Sequence, residues 1–377
     1  MPRVPIHHLI EPNPAPSIPV HYSHAPIQSS IPPQQYLTSR NDLPRTTHQP
    51  PSNYHSPIHY GSPQAFPTPP TNFEENGRIY YGYRNNMYPY PVDEAEGGRL
   101  DQLHYMIYDT LLDGRLHVAN LRHAENNPHF RILDVGFGTS LWAQFISADY
   151  PKAQVIGIDL KGYIGDHTKA TFPNLDLRNG VDFTDEDWGF EENSFDFIHL
   201  SLLAGSVPNW QSLYRKCLKY LKPGVGQLEH VELDLKPRSQ TATIPPYADH
   251  LRYYWECLSS ASARAGLPME YCPDTGILLE NLGFANPSDT RFRVPLSDRG
   301  VVDEHERCVG RWFQSAMQDE FGIRSYQGLA MALFTRHLGW KKAEVDDICE
   351  KVLDVLKRDR GELFHTLHVW TARKPSR

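Results

Sequence analysis

The 377-residue sequence predicts an α/β fold built on a mostly parallel, doubly wound sheet. From Arg99 to the C-terminus, short apolar segments alternate with helical segments, as they do in such folds. One apolar segment, residues 131–135, leads directly into a glycine-rich turn and a helix. The apolar segments lack polar alternation, which is typical of parallel strands buried on both faces.

Each element follows from a local pattern. Apolar residues recur at helical spacing between Leu100 and Leu112 and predict a helix over 99–116, before the first strand at 131–135. Further strands are predicted from apolar runs at 155–159, 195–200, 226–233, 284–294 and 364–372. Further helices are predicted at 140–146, 210–221, 247–265 and 274–282, and across a long insertion at 303–358. An insertion of that length before the last strand is expected to cap the site or to bind a partner.

Residues 1–70 differ in composition from the rest of the chain. They contain 17 of the 32 prolines and only five charged residues, so ordering them would cost more entropy than burial could return. We therefore predict a disordered, proline-rich tail at 1–70 and one folded domain at 71–377. The folded part carries 34 basic and 43 acidic residues and no visible basic stripe, which disfavours direct binding of nucleic acid.

The cysteines are odd in number, widely spaced and without a Cys-x-x-Cys pair: Cys217, Cys257, Cys272, Cys308 and Cys349. This pattern indicates a reducing compartment and no zinc site. The chain has no apolar run of about 20 residues and no signal-like N-terminus, so we expect a soluble intracellular protein without membrane insertion.

The turn after the first strand carries the clearest chemical signal. It includes Asp134, Gly136 and Gly138, and its glycines allow the backbone to approach a nucleotide-like ligand at a helix N-terminus. A dinucleotide fingerprint would need a third glycine where Leu141 stands. An acidic residue two places before the first glycine instead suits S-adenosylmethionine (SAM), with these three residues shaping the methionine pocket. The simpler alternative is a tight strand-to-helix turn without a ligand.

Two further acidic residues fit a SAM pocket. Asp159 ends the second strand, where a carboxylate can accept hydrogen bonds from a ribose diol, although it could equally cap a helix. Asp182 and Phe183 lie in a loop after the third strand, where they could meet the adenine amino group and ring. A solvated acidic loop is the alternative interpretation.

The residues that contact the methyl acceptor are less well defined, because positioning and desolvation can supply most of the acceleration of methyl transfer. His199 and Ser201 are candidates at the end of one strand, and Glu229 and His230 on the next. Each could instead be a satisfied interior polar group. Tyr80 and Tyr83 either close over the sulfonium with their aromatic faces or simply pack the N-terminal segment on the sheet.

Longer motifs extend the comparison beyond the turn. The first is ENGRIYYGYR at 75–84, which continues through Met87-Tyr88 and Asp93-Glu94 to Arg99-Leu100-Asp101. The others are DEHER at 303–307, with Arg311-Trp312, and LHVWTARKP at 367–375. With these motifs the chain resembles the LaeA-like methyltransferases, fungal regulators of secondary metabolism and development, from about Asn72 to the C-terminus.

The resemblance implies a class I (Rossmann-like) SAM methyltransferase fold with a seven-stranded sheet, and SAM as the cofactor. It also implies action in the nucleus, with velvet-type regulatory proteins or a related methyltransferase subunit as partners.

Ser140 departs from the glycine that usually ends the turn, and Phe137 stands where a small residue is common. This bulk predicts crowding of the methionine part of SAM. The competing hypotheses are a non-catalytic interaction subunit and a small-molecule methyltransferase of a natural-product pathway.

Overall fold

A computed structural model describes residues 71–84, 88–121, 127–163, 171–241, 243–317 and 324–376. The proline-rich tail predicted at 1–70 lies outside the described residues. No helix within the described ranges is long and apolar enough to cross a membrane.

A seven-stranded sheet organises the domain and confirms the predicted fold class. In chain order its strands are β3 (Arg131–Val135), β4 (Gln154–Asp159), β5 (Leu175–Asn179), β6 (Phe197–Ser201), β7 (Gln227–Ser239), β8 (Ala285–Pro295) and β9 (Leu363–Arg373). Their spatial order is β5-β4-β3-β6-β7-β9-β8, and β9 pairs antiparallel with both of its neighbours. The chain adds β4 on one side of the central β3 and β6 on the other, so the strand order reverses at β3. The carboxyl ends of these parallel strands lie at the same edge of the sheet, where such sheets bind ligands.

Helices cover both faces of this sheet. In chain order they are α1 (Glu94–His104), α2 (Leu141–Asp149), α3 (Trp210–Tyr220), α4 (Asp249–Arg264), α5 (Thr275–Asn281), α6 (Glu304–Met317), α7 (Arg324–Leu333) and α8 (Lys342–Arg358). The apolar strand residues are buried between these layers; Ile132, Ile156 and Ile198, for example, are fully inaccessible. This burial explains why the strand sequences show no alternation.

The segment before the sheet has more structure than the sequence predicted. A hairpin of β1 (Asn72–Glu75) and β2 (Arg78–Tyr81) precedes α1, which begins five residues before the predicted start. Asp93 explains this earlier start, because its side chain accepts a hydrogen bond from the Glu96 backbone N–H as an N-cap. The helix then continues into a π-helical turn at Tyr105–Leu111.

The helical insertion packs on this N-terminal segment. Trp312 of α6 stacks on Tyr105 with ring centroids 5.7 Å apart. The insertion also contacts α4, where Tyr254 donates a hydrogen bond to the Tyr326 carbonyl of α7. Leu329 of α7 reaches the cavity described below. The insertion therefore closes one side of the site, which is one of the two roles expected for it.

Candidate functional site

A cavity of about 250 Å³ lies at the carboxyl ends of β3, β4, β6 and β7, beneath α1. Nine of the twelve candidate site residues from the sequence line it, eight of which are Tyr83, Asp134, Gly136, Gly138, Asp159, Asp182, Phe183 and His199. Ser201 lines it as well, whereas Tyr80, Glu229 and His230 do not. The fold thus brings most of the predicted residues together from five separate segments of the chain.

The glycine turn forms the base of the cavity. Gly136 and Gly138 have φ values of 76° and 53°, a backbone region that favours glycine. A Cβ at Gly136 would lie 2.6 Å from Leu203 Cδ2, so a larger residue would also collide with the loop after β6. The turn therefore needs glycine for both its conformation and its packing.

Asp159 lies beside this turn and holds it in place. Its Oδ2 accepts a hydrogen bond from the Gly138 N–H at 2.9 Å, and its Oδ1 accepts one from the Lys161 N–H at 2.8 Å. Burial raises the pKa of Asp159 to about 6, although these backbone hydrogen bonds oppose the shift. Each oxygen keeps a lone pair, so the carboxylate can also accept hydrogen bonds from a diol.

His199 is locked in a buried hydrogen-bonded chain. Its Nδ1 lies 3.0 Å from Asp134 Oδ1 and its Nε2 lies 2.9 Å from the Tyr108 hydroxyl. A carboxylate only accepts, so Nδ1 donates to Asp134 and Nε2 accepts from Tyr108. The Trp142 ring stacks on the imidazole at 3.7 Å. With both nitrogens engaged, His199 positions its neighbours and is not free to take a proton from an acceptor.

The hydrogen bonds of His199 leave one oxygen of Asp134 available. Oδ2 of Asp134 is buried and has no hydrogen-bond partner within the described ranges. Ser201 is the last residue of this series of hydrogen bonds on the other side, with its Oγ 3.3 Å from the Tyr108 hydroxyl. The cavity therefore presents an unpaired acceptor at the glycine turn and a hydroxyl at the end of β6.

Asp182 is anchored from two sides at the opposite end of the cavity. Its Oδ1 accepts hydrogen bonds from the backbone N–H and the hydroxyl of Thr184, and its Oδ2 forms an ion pair with Arg84 at 3.1 Å. Arg84 lies 5.1 Å from the centre of the Tyr83 ring. The predicted adenine contact thus includes a guanidinium from the N-terminal segment, which the sequence interpretation lacked.

Three candidate residues serve the interior instead of the cavity. Glu229 Oε2 accepts hydrogen bonds from the N–H groups of Val118 and Ala119, and His230 Nδ1 bonds the Tyr214 hydroxyl. These contacts correspond to the interior role considered as the alternative, although Glu229 Oε1 is buried without a partner among the described residues. Tyr80 is fully buried and stacks on Phe73, so it has the packing role and does not cover a ligand.

The crowding expected from Phe137 and Ser140 depends on where their side chains lie. The Phe137 ring packs over Gly157 and Gly162, whose missing side chains leave the space that it occupies. Ser140 adopts a left-handed conformation with φ of 66°, does not line the cavity and donates to a backbone carbonyl. Ser140 therefore lies outside the cavity, whereas Phe137 lines it with its ring packed on these two glycines.

Other lining residues were not predicted as site residues, although Tyr88 and Arg99 belong to the first of the longer motifs. They are supplied chiefly by the N-terminal segment and α1: Tyr88, Tyr90, Glu96, Arg99, His104 and Tyr108. The only available signal was their position before the first strand, in a segment with closely spaced aromatic and charged residues.

The electrostatics of the cavity favour a cationic ligand. Five carboxylates line it, from Asp134, Asp159, Asp182, Glu96 and Glu232, against the guanidinium groups of Arg84 and Arg99. Burial lowers the pKa of His104 to about 4, so this imidazole is neutral at physiological pH.

These features fit SAM. The unpaired Asp134 oxygen suits the ammonium group, the glycine turn gives the backbone access that the methionine portion needs, and Asp159 suits the ribose diol. Phe183 and Asp182 provide an aromatic wall and a carboxylate for adenine. The excess of carboxylates and the tyrosine faces favour a sulfonium cation.

The comparisons with known proteins identify a methyltransferase domain and a family of relatives. A family model described as a methyltransferase domain matches residues 104–267. Secondary metabolism regulator LAE1 of Cochliobolus heterostrophus is 36% identical over 312 residues, which cover 82% of this chain and 97% of that protein. Secondary metabolism regulator laeA of Monascus pilosus is 34% identical, covering 88% of this chain and 84% of that protein.

A further relative has a more specific name. The protein-methionine methyltransferase laeA of Emericella nidulans is 33% identical over 325 residues, covering 84% of this chain and 82% of its own. Among solved structures, phosphoethanolamine N-methyltransferase 2 of Haemonchus contortus, in complex with SAM, matches with a TM-score of 0.40 and 15% identity. That match covers 65% of this chain and 49% of the other.

Proposed function

Because this chain belongs to the LaeA family of SAM-dependent methyltransferases, the secondary metabolism regulators, we propose that it regulates secondary metabolism and development by methylating a protein. Its acceptor is a methionine thioether, and it acts in the nucleus in a complex with velvet-type proteins or a related methyltransferase subunit. The fold, the family and the use of SAM are the premises of this proposal. The acceptor, the partners and the compartment are its content.

The observation that carries the choice of acceptor is that neither of the two described histidines lining the cavity is available as a base. His199 has both nitrogens engaged, and a pKa of about 4 gives His104 little tendency to take a proton. Amines and alcohols must lose a proton on methylation, whereas a thioether has none to lose. This chemistry favours a thioether.

The charge of the cavity supports the same choice. Methylation of a thioether produces a second sulfonium, so the product carries a positive charge at the carbon-sulfur centre. Five lining carboxylates and the aromatic walls of Tyr88, Tyr90 and Tyr108 stabilise such a cation. The name of the Emericella nidulans relative, protein-methionine methyltransferase, provides independent support.

The acceptor is tested by incubating purified protein with methyl-labelled SAM and nuclear extract, then separating proteins from small molecules. We expect label in protein, recovered after digestion as a methylated methionine that carries a fixed positive charge. The Asp159→Ala variant serves as the control for dependence on the cofactor site. Label confined to small molecules would contradict the proposal and favour a natural-product methyltransferase, and label on lysine or arginine would contradict the thioether acceptor.

The nuclear complex is tested separately. The tagged full-length chain is expected to accumulate in nuclei and to copurify with velvet-type proteins at defined stoichiometry. Asp159→Ala is expected to preserve this association, because Asp159 contacts the glycine turn within the cavity. A variant that binds no SAM yet retains the whole cellular role would favour a non-catalytic subunit and contradict the enzymatic proposal.

A further inference from the structure

Arg99 is a buried cation with one unused edge. Its side chain is 10% exposed and lines the cavity from α1. Nε and Nη2 donate to the two carboxylate oxygens of Glu96, at 3.0 and 2.6 Å. The remaining nitrogen, Nη1, makes no hydrogen bond with any residue in the described part of the chain.

Helix α7 packs closely behind the Glu96–Arg99 ion pair. A Cβ at Gly328 of α7 would lie only 3.1 Å from Glu96 Oε2 and 3.2 Å from Arg78 Nη1, so helix α7 closes the space behind the pair. Arg78 is held in turn by Asp93, the N-cap of α1. Glu96 therefore leaves the two donor hydrogens of Arg99 Nη1 unused.

A second unused donor lies nearby. The Tyr90 hydroxyl is buried and has no hydrogen-bond partner among the described residues, although Tyr90 lines the same cavity. Tyr90 and Arg99 both line this cavity, and burial raises the pKa of the Tyr90 phenol. The phenol stays protonated and remains a donor.

An unpaired buried phenol and an unused guanidinium edge that line one cavity favour an acceptor that both can bind. An unpaired donor in such an environment costs about 1–3 kcal/mol, more when it is charged. A carboxylate matches the planar donor geometry of a guanidinium and accepts from a phenol as well. We propose that Arg99 Nη1 and the Tyr90 hydroxyl form a carboxylate-binding site within the cavity. The carboxylate belongs either to the amino-acid end of SAM or to the methyl acceptor.

This inference rests on the proposed function for the identity of the acceptor, but its test requires no methyl transfer. The first arm compares two ligands that share adenosine and a thioether. S-adenosylhomocysteine has an amino-acid carboxylate, and 5′-methylthioadenosine lacks one. For a cofactor carboxylate, Arg99→Lys weakens the binding of S-adenosylhomocysteine about tenfold to a hundredfold, and Tyr90→Phe about threefold to tenfold. Binding of 5′-methylthioadenosine stays unchanged in both.

The second arm uses protein saturated with S-adenosylhomocysteine. N-acetylmethionine and its amide are titrated as probes that differ only in the carboxylate. For an acceptor carboxylate, the wild type binds the acid more tightly than the amide, and both variants abolish that difference while leaving cofactor affinity intact. Either selective loss supports the site and identifies its ligand.

The controls match the chemistry of the variants. Arg252→Lys and Tyr253→Phe make the same changes on exposed α4 residues and are expected to alter neither arm. Arg99→Lys retains a cation opposite Glu96, and if it fails to fold, Tyr90→Phe alone decides. Equal weakening of S-adenosylhomocysteine and 5′-methylthioadenosine, or no change in any probe, would overturn the proposal. Absence of methyl transfer to methionine would leave the first arm intact.

Discussion

Gly162→Ala tests how this chain accommodates Phe137 beside the cofactor turn. An alanine Cβ at this position would lie 2.1 Å from Phe137 Cε2 and 2.5 Å from Cζ, whereas ordinary contact begins at 3.4 Å. The ring must therefore retreat by at least 1.3 Å. The backbone cannot easily yield instead, because Asn179 donates to the Gly162 carbonyl and accepts from its N–H.

The expected magnitude follows from this overlap. Overpacking of a buried site costs about 1–3 kcal/mol in unfolding free energy. Phe137 also lines the cavity, so its displacement intrudes on the cofactor. An additional cost of this size, present only in the complex with SAM, weakens SAM binding by roughly fivefold to a hundredfold, because each 1.4 kcal/mol corresponds to a factor of ten.

Urea unfolding and calorimetric titration with SAM measure the two effects. Phe137→Leu shortens the side chain and is expected to rescue Gly162→Ala, with a coupling energy above about 1 kcal/mol in the double-mutant cycle. Gly98→Ala is the control, since a Cβ there meets nothing within 4 Å. Strictly additive effects of the two substitutions, or unchanged SAM affinity in Gly162→Ala, would refute the proposed co-adaptation.

Three further predictions concern the same site. Asp159→Ala removes the acceptor for a ribose diol and is expected to weaken SAM binding tenfold to a hundredfold by calorimetry, whereas Asp176→Ala on the exposed edge of β5 leaves it unchanged. Because burial raises the pKa of Asp159 to about 6, SAM affinity is expected to fall as the pH drops through 6. A SAM affinity that does not change between pH 5 and 7 would contradict this shift. The native state also binds this proton more tightly than the unfolded state does. The Asp159 contribution to the unfolding free energy therefore decreases as the pH rises from about 4 to 6 and is constant above pH 6. Ser140→Gly is expected to leave SAM affinity within about twofold of the wild type. Glycine relieves the left-handed backbone, and this offsets the lost hydroxyl contacts of a residue that lies outside the cavity. A marked gain in SAM affinity would support the crowding hypothesis.

The architecture and part of the site were predictable from the sequence because they depend on local patterns. Apolar runs identified strands such as β3 at the residues observed, since burial on both faces leaves a continuous signal. Asp134, Gly136, Gly138 and Asp159 were predicted to meet because the carboxyl ends of adjacent parallel strands share one edge of the sheet.

The remaining features were decided only in the tertiary structure, because they depend on partners that are distant in the chain. The neutral state of His104, the free edge of Arg99 and the unpaired Tyr90 hydroxyl arise from helices packed over the sheet, and no motif marks such burial. His199 and Glu229 are polar residues in paired positions on neighbouring strands, yet only His199 lines the cavity. Burial and hydrogen-bond partners separate a cavity residue from an interior one, and those are set by segments about 65 to 110 residues away.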